Sequence, residues 1–267
     1  VLLGGEPTLH PHLSEIIAEA KKIGFRSITV NTNGFLFNSF FEKNSPLATN
    51  LNFSLDGATP KINDSIRGKG SFNICTKNIK KAVGLGFDTS VCFTISRLNK
   101  TDLKMMPSLL KKMGVRRLFV QFIGIRGKAK LISCPQLNQA EWEKALVSLK
   151  TEARKHKINV LFPKIFLRSE EKFFCAGKCS ANLNVFPNGK IFKCPLGIDL
   201  DINSWEIHNN RLRKSKKKIM EEQIFELNLP WGCPLSKLVH PDNFGSENPL
   251  SPKIKIGCCM IKKTFLP

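Results

Sequence analysis

With 267 residues the chain suits one large domain or a domain with an appendage, and no apolar run reaches the about 18 residues that would let a helix cross a bilayer. Apolar residues at 42%, with 18 Gly and 15 Pro, are ordinary for a soluble globular protein. The 42 Lys and Arg against 21 Asp and Glu leave a formal charge of +21, read either as a lysine-rich solvated surface or as an attraction for nucleic acid, phosphates or an acidic peptide.

Short apolar runs at residues 1–3, 27–32, 51–55, 89–94 and 118–122 are the predicted strands. Between them lie predicted helices over 12–23, 71–85, 102–113 and 139–156, with a shorter one over 37–43. In the first helix Leu13, Ile16, Ile17 and Ala20 form the apolar stripe. Strand–helix alternation at this period predicts a parallel sheet with crossover helices, and five strands predict a partial or open barrel over residues 1–157. From about residue 158 to 267 the texture changes to short strands around several cysteines. Asn188-Gly189 between apolar runs marks a hairpin. The run RLRKSKKK at 211–218 is expected to be a solvated helix face, and 241–252 a loop.

Polar residues beside glycine recur at one end of successive strands. Gly4-Gly5 lets the backbone approach a ligand closely, Glu6 adds a carboxylate and Pro7 stiffens the turn. Ligands of parallel α/β folds sit at the C-terminal strand ends. A carboxylate with exposed carbonyls suits an ammonium group. The next strands end in Asn33-Gly34 and in Ser54-Leu55-Asp56-Gly57, followed by 63–68 with Arg67. Each alone is an ordinary turn or cap; their recurrence on one rim predicts a site.

Nine cysteines cannot all pair, and without a secretory signal the clustered ones read as metal ligands. Cys175, Cys179 and Cys194 enclose the hairpin, and Cys233 follows. Such thiolates suit zinc or an iron–sulfur cluster, and spacing alone does not choose. The competing reading is buried free cysteine acting as a small hydrophobe, which is the expectation for Cys75, Cys92 and Cys134. His10, His12, His156, His208 and His240 are too scattered to form another metal site.

The motifs GGEPTLHP, TNG, SLDG and SIRGKGSF, in this order, resemble the radical S-adenosylmethionine (SAM) superfamily, and more narrowly its branch with a C-terminal SPASM or twitch extension. The resemblance implies an α/β fold: a partial (β/α)6 TIM-like barrel lacking its first β/α unit, then a small Cys-rich α+β SPASM/twitch-like domain. It implies that Gly4, Gly5 and Glu6 hold the methionyl amino group of SAM, with Pro7, Asn33, Ser54, Asp56 and Arg67 completing the cofactor site. FIGIRGKAK at 122–130 resembles the family's loop after the sixth strand, with its Gly-Arg pair reversed to Arg126-Gly127.

The family's CxxxCxxC loop, which holds the catalytic [4Fe–4S] cluster, lies upstream of GGEP, and none of the nine cysteines has that spacing. The expectation is a fragment of a longer enzyme, inactive alone, rather than a short protein that lost the cluster. Gly189 followed by Cys194 matches the opening of a SPASM or twitch domain. This implies one auxiliary [4Fe–4S] cluster on Cys175, Cys179, Cys194 and Cys233. Ser236 replaces a further cysteine of the full motif, and the adjacent Cys258 and Cys259 are not expected to serve one cluster together. Pro195 stands where sulfatase-maturing relatives carry an Asp that acts as a base, so that role does not carry over. The implied function is cleavage of SAM to a 5′-deoxyadenosyl radical that modifies a peptide or protein, with a reducing electron donor, in the cytoplasm and away from membranes. The alternative is a catalytically inactive or non-enzymatic basic, metal-stabilised protein that binds nucleic acid or peptide. It leaves GGEP, TNG and SLDG unexplained, and no zinc-finger His spacing accompanies it.

Overall fold

The computed structural model describes residues 1–36, 49–125, 127–133, 135–179, 182–239 and 255–267. The predicted helix over 37–43, Arg126, Cys134, His240 and the predicted loop at 241–252 lie outside the described residues.

Two compact units form. The first comprises 1–123, 137–162 and 263–267, the second 124–136 and 163–262.

In the first unit, strands β1 (Ile28–Thr32), β2 (Thr49–Ser54), β3 (Asp88–Ile95), β4 (Arg117–Phe122) and β5 (Asn159–Pro163) pair in parallel in chain order. A terminal strand β12 (Lys262–Phe265) joins beside β5. The partial-barrel architecture read from the sequence is therefore present as a parallel sheet with crossover helices. Residues 1–3 contribute one parallel bridge, Leu2 to Val30, rather than a full strand. Val30, Leu51, Phe53, Val91, Phe93, Leu118 and Val160 are sealed from solvent along the sheet. At about 25 cal/mol per Å² of apolar surface, such side chains are the main stabilising term.

The helices follow their apolar faces. In α1 (Leu13–Ile23), Leu13 and Ile17 are buried while Ile16 is exposed, so the buried stripe is narrower than the sequence implied. Helix α2 (Pro60–Arg67) was not predicted: of its eight residues only Asn63 is buried, so no apolar stripe announces it. Helix α3 (Ser71–Gly84) matches its prediction. The predicted helix 102–113 is a 3-10 turn, Leu103–Met105, followed by α4 (Met106–Lys112), with Pro107 in its first turn. Helix α5 (Gln139–His156) opens with a capping box in which Asn138 and Glu141 satisfy each other's backbone N–H groups. No helix among the described residues is long and apolar enough to cross a membrane.

The second unit holds β6 (Phe166–Leu167), α6 (Ala176–Cys179), β7 (Asn184–Val185), β8 (Lys190–Phe192), β9 (Trp205–His208), β10 (Arg211–Lys214), α7 (Glu221–Phe225), α8 (Pro234–Val239) and β11 (Lys255–Ile256). Strands β7 to β10 form an antiparallel sheet in sequential order, and β6 pairs with β11. The first half of the charge run is the exposed strand β10, not a helix face. Asn209 and Asn210 both take positive φ, the geometry of a two-residue hairpin turn, and so return the chain onto β9.

Candidate functional site

A cleft of about 400 Å³ opens at the C-terminal ends of the strands in the first unit, within the range of small-molecule pockets, roughly 300–1,000 Å³. Asn33, Ser54, Asp56 and Arg67, all expected at the rim, line it together. Asp56 is 5% exposed. Its Oδ2 pairs with Arg67 Nε at 2.8 Å and its Oδ1 accepts the Thr94 amide at 2.7 Å. Burial pushes the Asp56 carboxyl above its ordinary range against the pull of Arg67. Both Asp56 oxygens are thus used within the chain, and Arg67 is the group they present to the cleft.

Helix α2 supplies much of the lining the sequence did not reveal. Asn63, fully buried, accepts the Asp56 amide at 3.0 Å and donates to Ser71 Oγ at 2.9 Å. Asp64 accepts the Gly70 and Phe72 amides at 2.7 and 2.8 Å, fixing the start of α3, and the Phe72 amide leads in holding its carboxyl below the ordinary range. Ile66, Phe35 and Cys75 complete the wall. Burial pushes the Cys75 thiol up to about 12, so it faces the cleft neutral. The spacing of Asn63, Ile66 and Arg67 at i, i+3 and i+4 is the signal that could have placed all three on one helix face.

The GGEP turn lies beside this cleft and is tied to it. Glu6 Oε1 accepts Thr8 N at 3.2 Å and the Thr8 and Thr32 hydroxyls at 2.7 Å each, and Oε2 accepts Asn33 N at 2.7 Å. Glu6 is therefore a clamp between the turn and the end of β1. Pro7 is buried at the start of a 3-10 turn. Gly4 and Gly5 have no positive φ, and a Cβ on either would meet nothing within 4 Å. Nothing within the described chain therefore requires glycine at these two positions.

In the second unit one small apolar cavity is lined by Cys175, Cys194, Cys233, Cys258 and Cys259, with Phe225 and Leu235. Cys179, at the end of α6, is exposed and does not line it. Cys258 and Cys259 arrive through backbone pairing. Cys233 N donates to Ile256 O at 3.1 Å, and Ile256 N to Trp231 O at 2.8 Å. Gly232, at φ +85°, permits this approach, since a Cβ there would collide with the Ile256 carbonyl oxygen. Burial pushes the thiols of Cys175, Cys194 and Cys233 up, with neighbouring cysteines adding to it. No three His, Cys, Asp or Glu side chains among the described residues are arranged to hold a single metal ion. Five thiols around one cavity are nonetheless a soft, all-sulfur donor set. Thiolates of this kind are the ligands that hold iron–sulfur clusters.

Residues 1–122 match the family model described as the Radical SAM superfamily. A "Probable GTP 3′,8-cyclase" of Saccharolobus islandicus is 26% identical over 204 residues, 72% of this chain and 66% of the relative. A protein of the same name from Metallosphaera sedula is 26% identical over 205 residues, 72% of this chain and 64% of the relative. The chain thus spans slightly less than two thirds of these curated relatives. Among solved structures, Streptococcus suis SuiB aligns with a TM-score of 0.69 at 13% identity, over 92% of this chain and 64% of SuiB. Native anSMEcpe with AdoMet and the Cp18Cys peptide aligns with a TM-score of 0.59 at 15% identity, over 92% and 70% respectively. These likenesses show a shared fold.

Proposed function

We propose, from the match of residues 1–122 to the Radical SAM superfamily, that the rim cleft binds S-adenosylmethionine and that the protein acts in radical modification of a peptide or protein. The observation that carries this reading is the convergence of Asn33, Ser54, Asp56 and Arg67 from successive strand ends on one cleft. SAM held here beside a reduced [4Fe–4S] cluster would supply radical, hydrogen-abstracting chemistry. No CxxxCxxC spacing occurs in these 267 residues, so the part assigned to this chain is binding and orientation.

Arg67, steadied by Asp56, donates to a carboxylate or ribose oxygen of SAM. Asn33 and Ser54 offer further polar contacts. The carbonyls of Gly4 and Gly5 accept from the methionyl ammonium group, and the bare Cα atoms leave room for it to approach. Glu6 and Pro7 hold that turn in place, Glu6 through Thr32 and Asn33. This assigns Glu6 and Asp56 to support rather than to direct contact.

In the second unit we propose a SPASM/twitch-like auxiliary [4Fe–4S] site. Cys175, Cys194 and Cys233 supply three thiolates. Cys258, inside the cavity, suits the fourth position better than exposed Cys179. A reducing electron donor completes the chemistry, and oxygen-sensitive clusters favour a reducing compartment such as the cytoplasm.

The net charge of +21 suits an acidic peptide substrate, and the fold neighbours include SuiB bound to its precursor peptide SuiA, with a TM-score of 0.61. A nucleotide substrate is the second reading, favoured by the name of the curated relatives at 26% identity.

The decisive experiment is equilibrium binding of SAM to this chain. Saturable one-to-one binding, lost in Arg67→Ala, supports the reading; absence of binding to the folded wild type overturns it. Protection from thermal unfolding by GTP, but by no acidic peptide, would move the substrate to the nucleotide class.

A further inference from the structure

We propose that Glu221 is a positioning residue of the cysteine cavity, holding Cys194 where a cluster would need it; this rests on the auxiliary-cluster reading above. Glu221 opens α7 and is 0% exposed. Its Oε1 accepts Lys193 N and Ser204 Oγ, each at 2.6 Å, and its Oε2 accepts Cys194 N at 3.0 Å. One carboxylate therefore spans two consecutive amides, the second belonging to the cysteine itself. The Glu221 amide donates to Ile202 O at 2.9 Å, which fixes the helix start from the other side.

A carboxylate removed from water is costly unless fully bonded. An apolar side chain at this position would fill the interior more cheaply. What an apolar residue cannot do is grip adjacent amides at the point where the hairpin strand turns into Cys194. Four residues on, Phe225 lines the same cavity. Its ring lies against Gly177, where a Cβ would stand 2.6 Å from it. Helix α7 thus braces the cavity at both sides, through the Glu221 carboxylate at Cys194 and through the Phe225 ring two residues from Cys175. Groups that hold metal ligands from behind set ligand orientation and metal affinity, and their loss typically costs roughly 10–100-fold in affinity.

The test uses the full chain, reconstituted anaerobically with iron and sulfide. Three quantities are read: iron and labile sulfide per folded chain, their loss to a chelator, and the cluster's midpoint potential with its electron paramagnetic resonance spectrum. Glu221→Gln keeps the size but replaces one acceptor oxygen by an N–H₂ group facing an amide. The expected result is a chain that melts cooperatively yet holds iron roughly 10–100-fold less tightly, with a shifted potential in whatever cluster remains. A folded Glu221→Gln chain with wild-type retention and potential overturns the proposal. Should Glu221→Gln not fold, Glu221→Asp and Ser204→Ala take its place. Iron loss in folded Glu221→Asp, smaller in Ser204→Ala, supports the assignment, and wild-type retention in both overturns it. A wild type that takes up no labile sulfide sinks the cluster reading, and Glu221's role with it. A loaded wild type with indifferent variants sinks the role of Glu221 alone.

Discussion

Arg67 meets the cleft only because Asp56 is already spoken for. The carboxylate's other oxygen holds the Thr94 amide, so its position is set by β3 and not by the ligand. Asp56→Asn retains the shape but leaves Arg67 without its counter-ion. A charge-assisted hydrogen bond is worth about 1.5–3 kcal/mol, so SAM affinity is expected to fall roughly tenfold or more in calorimetric titration, with a similar loss in urea stability. Equal affinity in the two proteins would show that Arg67 does not face the ligand.

At the scale of elements, the N-terminus of α5 carries the clearest electrostatic feature. Glu141 closes the capping box with Asn138, pairs with Lys100 at 2.6 Å and meets Arg97 at 3.2 Å. Lys100, first among these, pulls its carboxyl from the ordinary 4.5 to about 2. A carboxyl depressed in the folded state stabilises above its unfolded value and loses that contribution as the pH falls. The stability difference between wild type and Glu141→Ala should therefore be full above pH 4.5 and disappear as pH drops through about 2. The half-exposed pairs with Lys100 and Arg97 set its size at about 0.5–1 kcal/mol. Urea titrations across that range read it directly. The same scale shows what the sequence could reveal. The parallel strands were legible because residues such as Val30, Leu51 and Phe93 are buried on short β-rich runs. Helix α2 was not, since its one buried residue is the polar Asn63, and hairpin β9–β10 was not, since β10 is exposed throughout. The rim residues were legible through their recurrence beside glycine. The cavity's Cys258 was hidden, because only the non-local pairing of 231–233 with Ile256 brings it in.

For the molecule as a whole, the two units can be followed separately. Trp142 belongs to the first, Trp205 and Trp231 to the second. Gly232→Ala forces a side chain against the Ile256 carbonyl at a positive φ. It should lower the melting temperature reported by Trp205 and Trp231 fluorescence while Trp142, isolated by Trp→Phe substitutions, reports less change. Equal shifts at all three would mean the units unfold as one. The charge of +21 acts on both. Self-repulsion of this sign is screened by salt, so raising ionic strength from about 0.05 to 0.5 M should raise the melting temperature in sodium chloride. A fall would show that the paired charges outweigh the unpaired ones.

The hydrogen-bonded rim has a kinetic and selective meaning. Glu6 grips Asn33, Asn63 grips the Asp56 amide, and Asp56 grips Arg67 before anything enters. The entropy of ordering those groups is lost during folding, so an arriving molecule meets a surface that need not rearrange. Capture is then quick and its conformational cost small. The same rigidity narrows what is accepted: an analogue altered at the group facing Arg67 finds no loose side chain able to swing across and compensate.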